Sequence, residues 1–126
     1  MAVFGEGFLP GRHAIAGIGR GGFLFGGMSH IGSILALPSG VHAWAVTAPE
    51  AITPETLSEV LKEAAEFEIL VLGTGARQMF PTPAVRALLR EAGLRPEIMA
   101  TPMATQTYNI LLDEGRRVAA ALIAVE

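Results

Sequence analysis

The sequence predicts an α/β fold: a mixed central sheet with packed helices, in which glycine-rich antiparallel N-terminal strands are followed by α-β-α-β-α-β. Three observations carry this prediction. The first half is rich in glycine and in short apolar runs. The second half switches to helical spacing, interrupted by short apolar segments. Thr-Pro pairs at 53–54, 82–83 and 101–102 stand before three of those helical patterns, as an N-cap followed by proline at the first helical position.

Taken in order, "GGFLFGGMSH" and "SILALP" read as short strands bounded by glycine. Within "SILALPSGVHAWAV" one strand runs from Ile34 to Leu37, Pro38-Ser39-Gly40 turns, and Val41 to Val46 returns. Trp44 on this hairpin reads as a buried aromatic. After Thr53, the apolar residues Leu57, Val60, Leu61 and Ala64 share one helix face. Glu68 to Leu72 follows as a strand without alternation, the pattern of a strand covered on both faces. Thr82 caps a second helix with Val85, Leu88, Leu89 and Ala92 on one face, ended by Gly93. Glu97 to Ala100 makes another short strand. Thr101 caps a third helix to about Glu114, with Met103, Thr107, Ile110 and Leu111 on one face, and Gly115 closes it. Val118 to Val125 is a final buried strand. No repeat or linker interrupts residues 1–126, so one domain is expected.

Composition narrows the function. The chain is 51% hydrophobic with a mean hydropathy of +0.46, which excludes a disordered polar chain. Its longest apolar run, Val118 to Val125, is far too short to span a membrane. Met1–Glu6 shows neither a basic start nor a long apolar stretch, so no leader is expected and a cytoplasmic location follows. The net charge is −3, and the basic residues form no run longer than Arg116-Arg117, so no nucleic acid footprint is visible. The chain has no cysteine, which excludes disulfides, thiolate metal sites and cysteine nucleophiles. Asp113 is the only aspartate, and Glu55, Glu59, Glu63 and Glu66 read as one solvated helix face. His13, His30 and His42 have no metal-ligand spacing. Ser29-His30 has no nearby acid, so His30 reads as a hydrogen-bonded loop residue. No catalytic residue, metal or cofactor is assigned.

One stretch stands out as a candidate site. "VLGTGARQMFPTP" ends an apolar strand in Gly73-Thr74-Gly75. Open α/β sheets place ligands at such strand ends. Glycine permits close backbone approach, Thr74 adds a hydroxyl, and Arg77 adds a permanent cation. The stretch is not GxGxxG, and no Gly-Lys-Ser/Thr follows, so a structural turn lining a shallow pocket outweighs a nucleotide cradle. Met79, Met99 and Met103 cluster near these strand ends as gap fillers. Asn109, if buried, needs partners for its amide and is expected to brace a loop.

Three segments carry a resemblance: "GGFLFGGMSHIGSILALPSGVHAW", "ILVLGTGARQMFPTPAVRALLREAGL" and "MATPMATQTYNILLDEGRRVAAALIAVE". From about Phe4 to the C-terminus the chain resembles a domain-of-unknown-function family. That family includes the mitochondrial complex I (NADH:ubiquinone oxidoreductase) assembly factor 3 and the adipogenesis-associated domain protein. The chain looks like a stand-alone bacterial member. The resemblance implies an α/β domain with a mixed sheet, and imports no catalytic residues. It implies a surface cleft at Gly73-Thr74-Gly75, lined by Phe80, Pro81, Thr101, Thr105 and Asn109. The expected function is a non-enzymatic protein-interaction module, assembly-factor-like for a respiratory membrane complex, with a protein partner. The alternative is a small-molecule or anion-binding protein, or an enzyme, using the cleft with Arg77 as the charge partner. A homo-oligomer formed by open strand edges is a third expectation.

Overall fold

The computed structural model describes residues 8–126. The reading of Met1–Glu6 as lacking a leader lies outside the described residues. The strands are β1 (Phe8–Pro10), β2 (Ile15–Gly19), β3 (Gly22–Phe25), β4 (Met28–Ile31), β5 (Ser33–Leu37), β6 (Gly40–Trp44), β7 (Ile69–Gly73), β8 (Arg95–Met99) and β9 (Val118–Leu122). The helices are α1 (Ser58–Lys62), α2 (Pro83–Glu91) and α3 (Thr101–Asp113). A six-stranded sheet has the order β1-β6-β5-β9-β7-β8, and β2-β3-β4 forms a separate three-stranded meander. β9, β7 and β8 run parallel, while β5, β6 and β1 add antiparallel pairs, so the central sheet is mixed.

The glycine-rich N-terminal strands therefore divide between two sheets. β5 and β6 join through the two-residue turn Pro38-Ser39, with Leu37 opposite Gly40. β9 lies between β5 and β7 and welds the two halves of the chain.

Burial explains why β7 shows no alternation. Leu70 and Leu72 point into one apolar layer with Leu57, Val60, Val85 and Leu89, so α1 and α2 cover that face. Ile69 and Val71 point into a second layer with Phe23, Phe25, Ala104 and Tyr108, so α3 and the meander cover the other. β8 is an edge strand and tolerates Pro96, which has no N–H to donate. Trp44 is buried, and its indole N–H donates to the Thr56 carbonyl at 2.7 Å.

Local differences from the sequence expectations have physical causes. Thr53 is not the N-cap of α1, whose N-cap is Leu57; it brackets the preceding turn, its Oγ1 accepting from Thr56 N at 3.2 Å and Thr56 Oγ1 accepting from Thr53 N at 2.8 Å. The turn after it is tightened by a Ser58 N to Glu55 O bond, so regular helix begins only at Ser58. Thr82 caps α2 as expected, accepting from Val85 N. Thr101 does not cap α3, because Ala100 holds that position and Thr101 is fully buried. The buried face of α3 is Thr101, Ala104, Thr105 and Tyr108, whereas Met103 and Ile110 are exposed. His30 lies on β4 rather than in a loop. Desolvation holds its imidazole below the usual histidine pKa, against a hydrogen bond with the Ser33 backbone that raises it.

α3 also fastens the meander. The Asn109 side chain accepts from Ile15 N and donates to Ile15 O, each at 2.8 Å, replacing a neighbouring strand at the β2 edge. From the adjacent position, the Tyr108 hydroxyl donates to the His13 carbonyl at 3.1 Å. Burial pushes the Tyr108 pKa up to about 12, partly offset by the Arg12 charge. A phenol whose pKa rises on folding adds stability that is complete below pH 10 and is lost as pH climbs through about 12, a contribution of roughly 2–3 kcal/mol. Tyr108 is the only tyrosine, so its ionisation is read directly from ultraviolet absorbance. The expected midpoint is about 12 for the folded chain, falling toward 10 in denaturant. Identical midpoints in the two states would refute this assignment.

Candidate functional site

The Gly73-Thr74-Gly75 turn sits where β7 ends, and its polar groups are spent inside the protein. Thr74 N donates to Met99 O at 3.0 Å. The Thr74 hydroxyl donates to Arg77 O at 2.6 Å and accepts from Met79 N at 3.0 Å. Gly75 N donates to Thr101 Oγ1 at 2.9 Å, and Thr101 N returns a bond to Gly75 O at 2.8 Å. Thr101 Oγ1 in turn donates to Ile123 O at 2.7 Å, while Ile123 N donates to Gly73 O at 3.0 Å. One buried hydroxyl thus joins the end of β7, the end of β9 and the start of α3.

The two glycines serve different needs. A Cβ at Gly73 would lie 2.9 Å from Thr101 Oγ1, 3.0 Å from Leu122 Cδ2 and 3.1 Å from Ala104 Cβ, so glycine lets α3 close onto the sheet. Gly75 has φ +99°, a conformation that L side chains rarely adopt. Both turn amides are engaged, so an anion arriving here would have to displace an internal hydrogen bond. α3 behaves likewise at its start: Thr101 N is used, position 102 is proline, and Ala104 N bonds Ala100 O at 2.9 Å.

The sequence-predicted residues separate into three groups. Thr74, Gly75 and Arg77 line an open groove of about 510 Å³. Its other walls are Thr47–Pro49, Met79 and Ile123–Glu126. Gly73, Thr101 and Thr105 are buried beneath the turn or along α3, and Asn109 is committed to β2. Phe80 and Pro81 diverge: Pro81 is buried, whereas Phe80 is 62% exposed. The groove walls were missed because 123–126 follow β9, which lies beside β7, and 47–49 follow β6, and no local pattern encodes their meeting at this strand end.

Residues 76–80 form an exposed loop with Arg77, Gln78, Met79 and Phe80 at the surface. The Arg86 guanidinium of α2 sits 5.6 Å from the centre of the Phe80 ring, a cation–π contact. Gln78 Nε2 donates to Ile98 O at 2.9 Å and tethers the loop to β8.

A second polar cluster escaped sequence analysis. Glu63, just past α1, accepts from Ser39 N at 2.9 Å and from Ser39 Oγ at 2.5 Å, and His42 Nε2 lies 3.0 Å from the same hydroxyl. A Ser–His–acid relay places the acid on the far ring nitrogen, but here Nε2 is also the atom 3.9 Å from Glu63. The cluster pins the β5–β6 turn to α1. Among the described residues, no group of three His, Cys, Asp or Glu side chains is placed to hold a metal.

Fold and site together define a mixed α/β domain whose glycine turn is a packing node beneath an exposed loop and groove. The chain belongs to the protein family of unknown function DUF498/DUF598, whose profile matches residues 15–123. It is 37% identical over 102 residues to bovine NADH dehydrogenase [ubiquinone] 1 alpha subcomplex assembly factor 3, covering 81% of this chain and 55% of that protein. The chain therefore spans about half the length of that relative. An uncharacterised protein of Rhodobacter capsulatus is 35% identical over 127 residues, covering 98% of this chain and 93% of its own length. The crystal structure of a protein from Bartonella henselae, described as an outer membrane protein, superposes with a TM-score of 0.89 at 44% identity, covering 93% of this chain and 98% of that one. In this chain, no helix among the described residues is long and apolar enough to cross a membrane.

The Thr101 node makes a sharp prediction. Thr101→Val keeps the shape but leaves Gly75 N–H and Ile123 C=O without their buried partner, at a cost of about 1–3 kcal/mol for each orphaned group. Gly73→Ala overpacks the same junction by about 1–3 kcal/mol. Urea unfolding should show both losses, with Thr101→Ser close to wild type. A Thr101→Val protein as stable as wild type would refute the node.

Proposed function

We propose that this chain is a non-enzymatic protein-interaction module, assembly-factor-like for a membrane complex, acting as one domain from the cytoplasmic side. The observation that carries the reading is the loop at 76–80, which leaves Phe80 62% and Met79 44% exposed on a tethered backbone beside the groove. Exposed aromatic and methionine side chains on a fixed loop are the usual anchors of a protein interface. Family membership supports the same reading, since relatives of comparable sequence are named as assembly factors. Capture from a cell lysate, with cross-linking and mass spectrometry, tests it. Wild type should capture a defined protein through residues 76–80, and Phe80→Asp should lose it while melting at the wild-type temperature. Equal capture by both proteins, or cross-links elsewhere, would overturn the reading.

The groove supports a second reading, a small-molecule or anion site with Arg77 as the charge partner. Thermal-shift screening of small carboxylates against wild type and Arg77→Ala tests it. Stabilisation of wild type alone is the supporting result, and no shift in either protein discards it.

A further inference from the structure

The segment that leads from the loop at Phe80 into α2 is locally basic. From Gly75 to Arg90 the sequence holds three arginines, Arg77, Arg86 and Arg90, and no carboxylate, in a chain of net charge −3. The ion pairs among the described residues join His42 to Glu63, Lys62 to Glu59 and Arg95 to Glu97, so these three arginines are unpaired. Nε of Arg86 is buried without a hydrogen-bond partner, while its guanidinium lies over Phe80. With Nε buried, the two terminal nitrogens of Arg86 form the edge that can receive a carboxylate in a two-point bond. Arg86 and Arg90 are one helical turn apart on α2, which sets their Cβ atoms about 5–6 Å apart.

We propose that the partner of this surface is an acidic protein segment that offers two carboxylates at that spacing, next to an apolar side chain that packs on Phe80 and Met79. Glutamates at i and i+4 of a partner helix meet the requirement. The inference rests on the reading of the 76–80 loop as a docking surface. The composition favours a protein over a phosphate polymer or bilayer. Arginine beside exposed phenylalanine and methionine is the make-up of a protein interface core, and three arginines in an acidic chain are a small footprint for either alternative. Glu126 is the one carboxylate residue among those that line the groove.

The test uses fluorescence anisotropy with a labelled helical peptide of roughly 14 residues carrying Glu at i and i+4 beside leucine, and its Gln counterpart. The Glu peptide should bind wild type at least about tenfold more tightly than the Gln peptide, and the difference should shrink as salt rises. Arg90→Gln, at an exposed position, and Arg86→Gln, checked by thermal melt, should each reduce that preference. Phe80→Ala should weaken both peptides. Equal binding of the two peptides to wild type overturns the inference, as does an unchanged preference in both arginine variants. Arg86-dependent flotation with vesicles containing about 30% anionic phospholipid, without peptide binding, also overturns it in favour of a lipid surface. If lysate capture still depends on Phe80 but survives both arginine changes, the docking reading stands and the acidic partner falls. If capture never depends on Phe80, the docking reading itself falls.

Discussion

The buried hydroxyl of Thr101 is the contact around which the second half of the molecule is arranged. It accepts from the β7 turn and donates to the chain leaving β9, and its own backbone starts α3. Three segments distant in sequence are fixed by one side chain that has no exposure to solvent. Such a group is stabilising only when both of its hydrogen-bonding functions are met, and here they are. Gly73 is the complement: without its missing Cβ the hydroxyl could not reach the turn. The parallel register of β7 with β8 and β9, and the seat of α3 on them, converge at this point.

The same contact decides what the glycine turn can do. A strand end followed by a loop and a helix suggests a phosphate cradle, because such turns usually leave amides pointing outward. Here the amides point inward, to Met99 O and Thr101 Oγ1. Polar groups have been turned toward the core, and apolar Met79 and Phe80 have been left at the surface. That inversion favours recognition by shape and packing over chemistry at the turn.

Local sequence made much of this fold legible. The helix starts at Thr82-Pro83, the buried run in β7 and the Pro38-Ser39 hairpin are all short-range signals, and each appears where the pattern placed it. What stayed hidden depends on partners far along the chain. The order β5-β9-β7 inserts the last strand into the middle of the sheet, and with it come the groove walls at 123–126. The burial of α3 was hidden for a subtler reason. Met103 and Ile110 are the more hydrophobic stripe, yet the helix turns Ala104, Thr105 and Tyr108 inward. A helix drawn tight against Gly73 must present small side chains, and close approach outweighs the larger transfer energy of methionine and isoleucine. The Thr101 and Thr105 hydroxyls look polar in a sequence and are core in the structure. Glu63 likewise read as part of a solvated face, and it is the group that holds Ser39.

For the proposed docking role, the loop at 76–80 has to be ordered before a partner arrives, or binding bears the entropy of ordering it. In this protein the order comes from three sides. Thr74 ties Arg77 O and Met79 N to the end of β7, Gln78 ties the loop to β8, and Arg86 lies against Phe80. The Thr101 node holds the floor beneath them. Each tether uses a polar group while leaving the Met79 and Phe80 side chains outward. The stability of the node and the presentation of the loop are therefore one mechanical problem. A substitution that loosens Thr101 transmits to the surface through Gly75, because the turn that positions Thr74 is joined to α3 by the reciprocal hydrogen bonds between Gly75 and Thr101. Rigidity at the strand end is what turns two exposed apolar side chains into a defined surface.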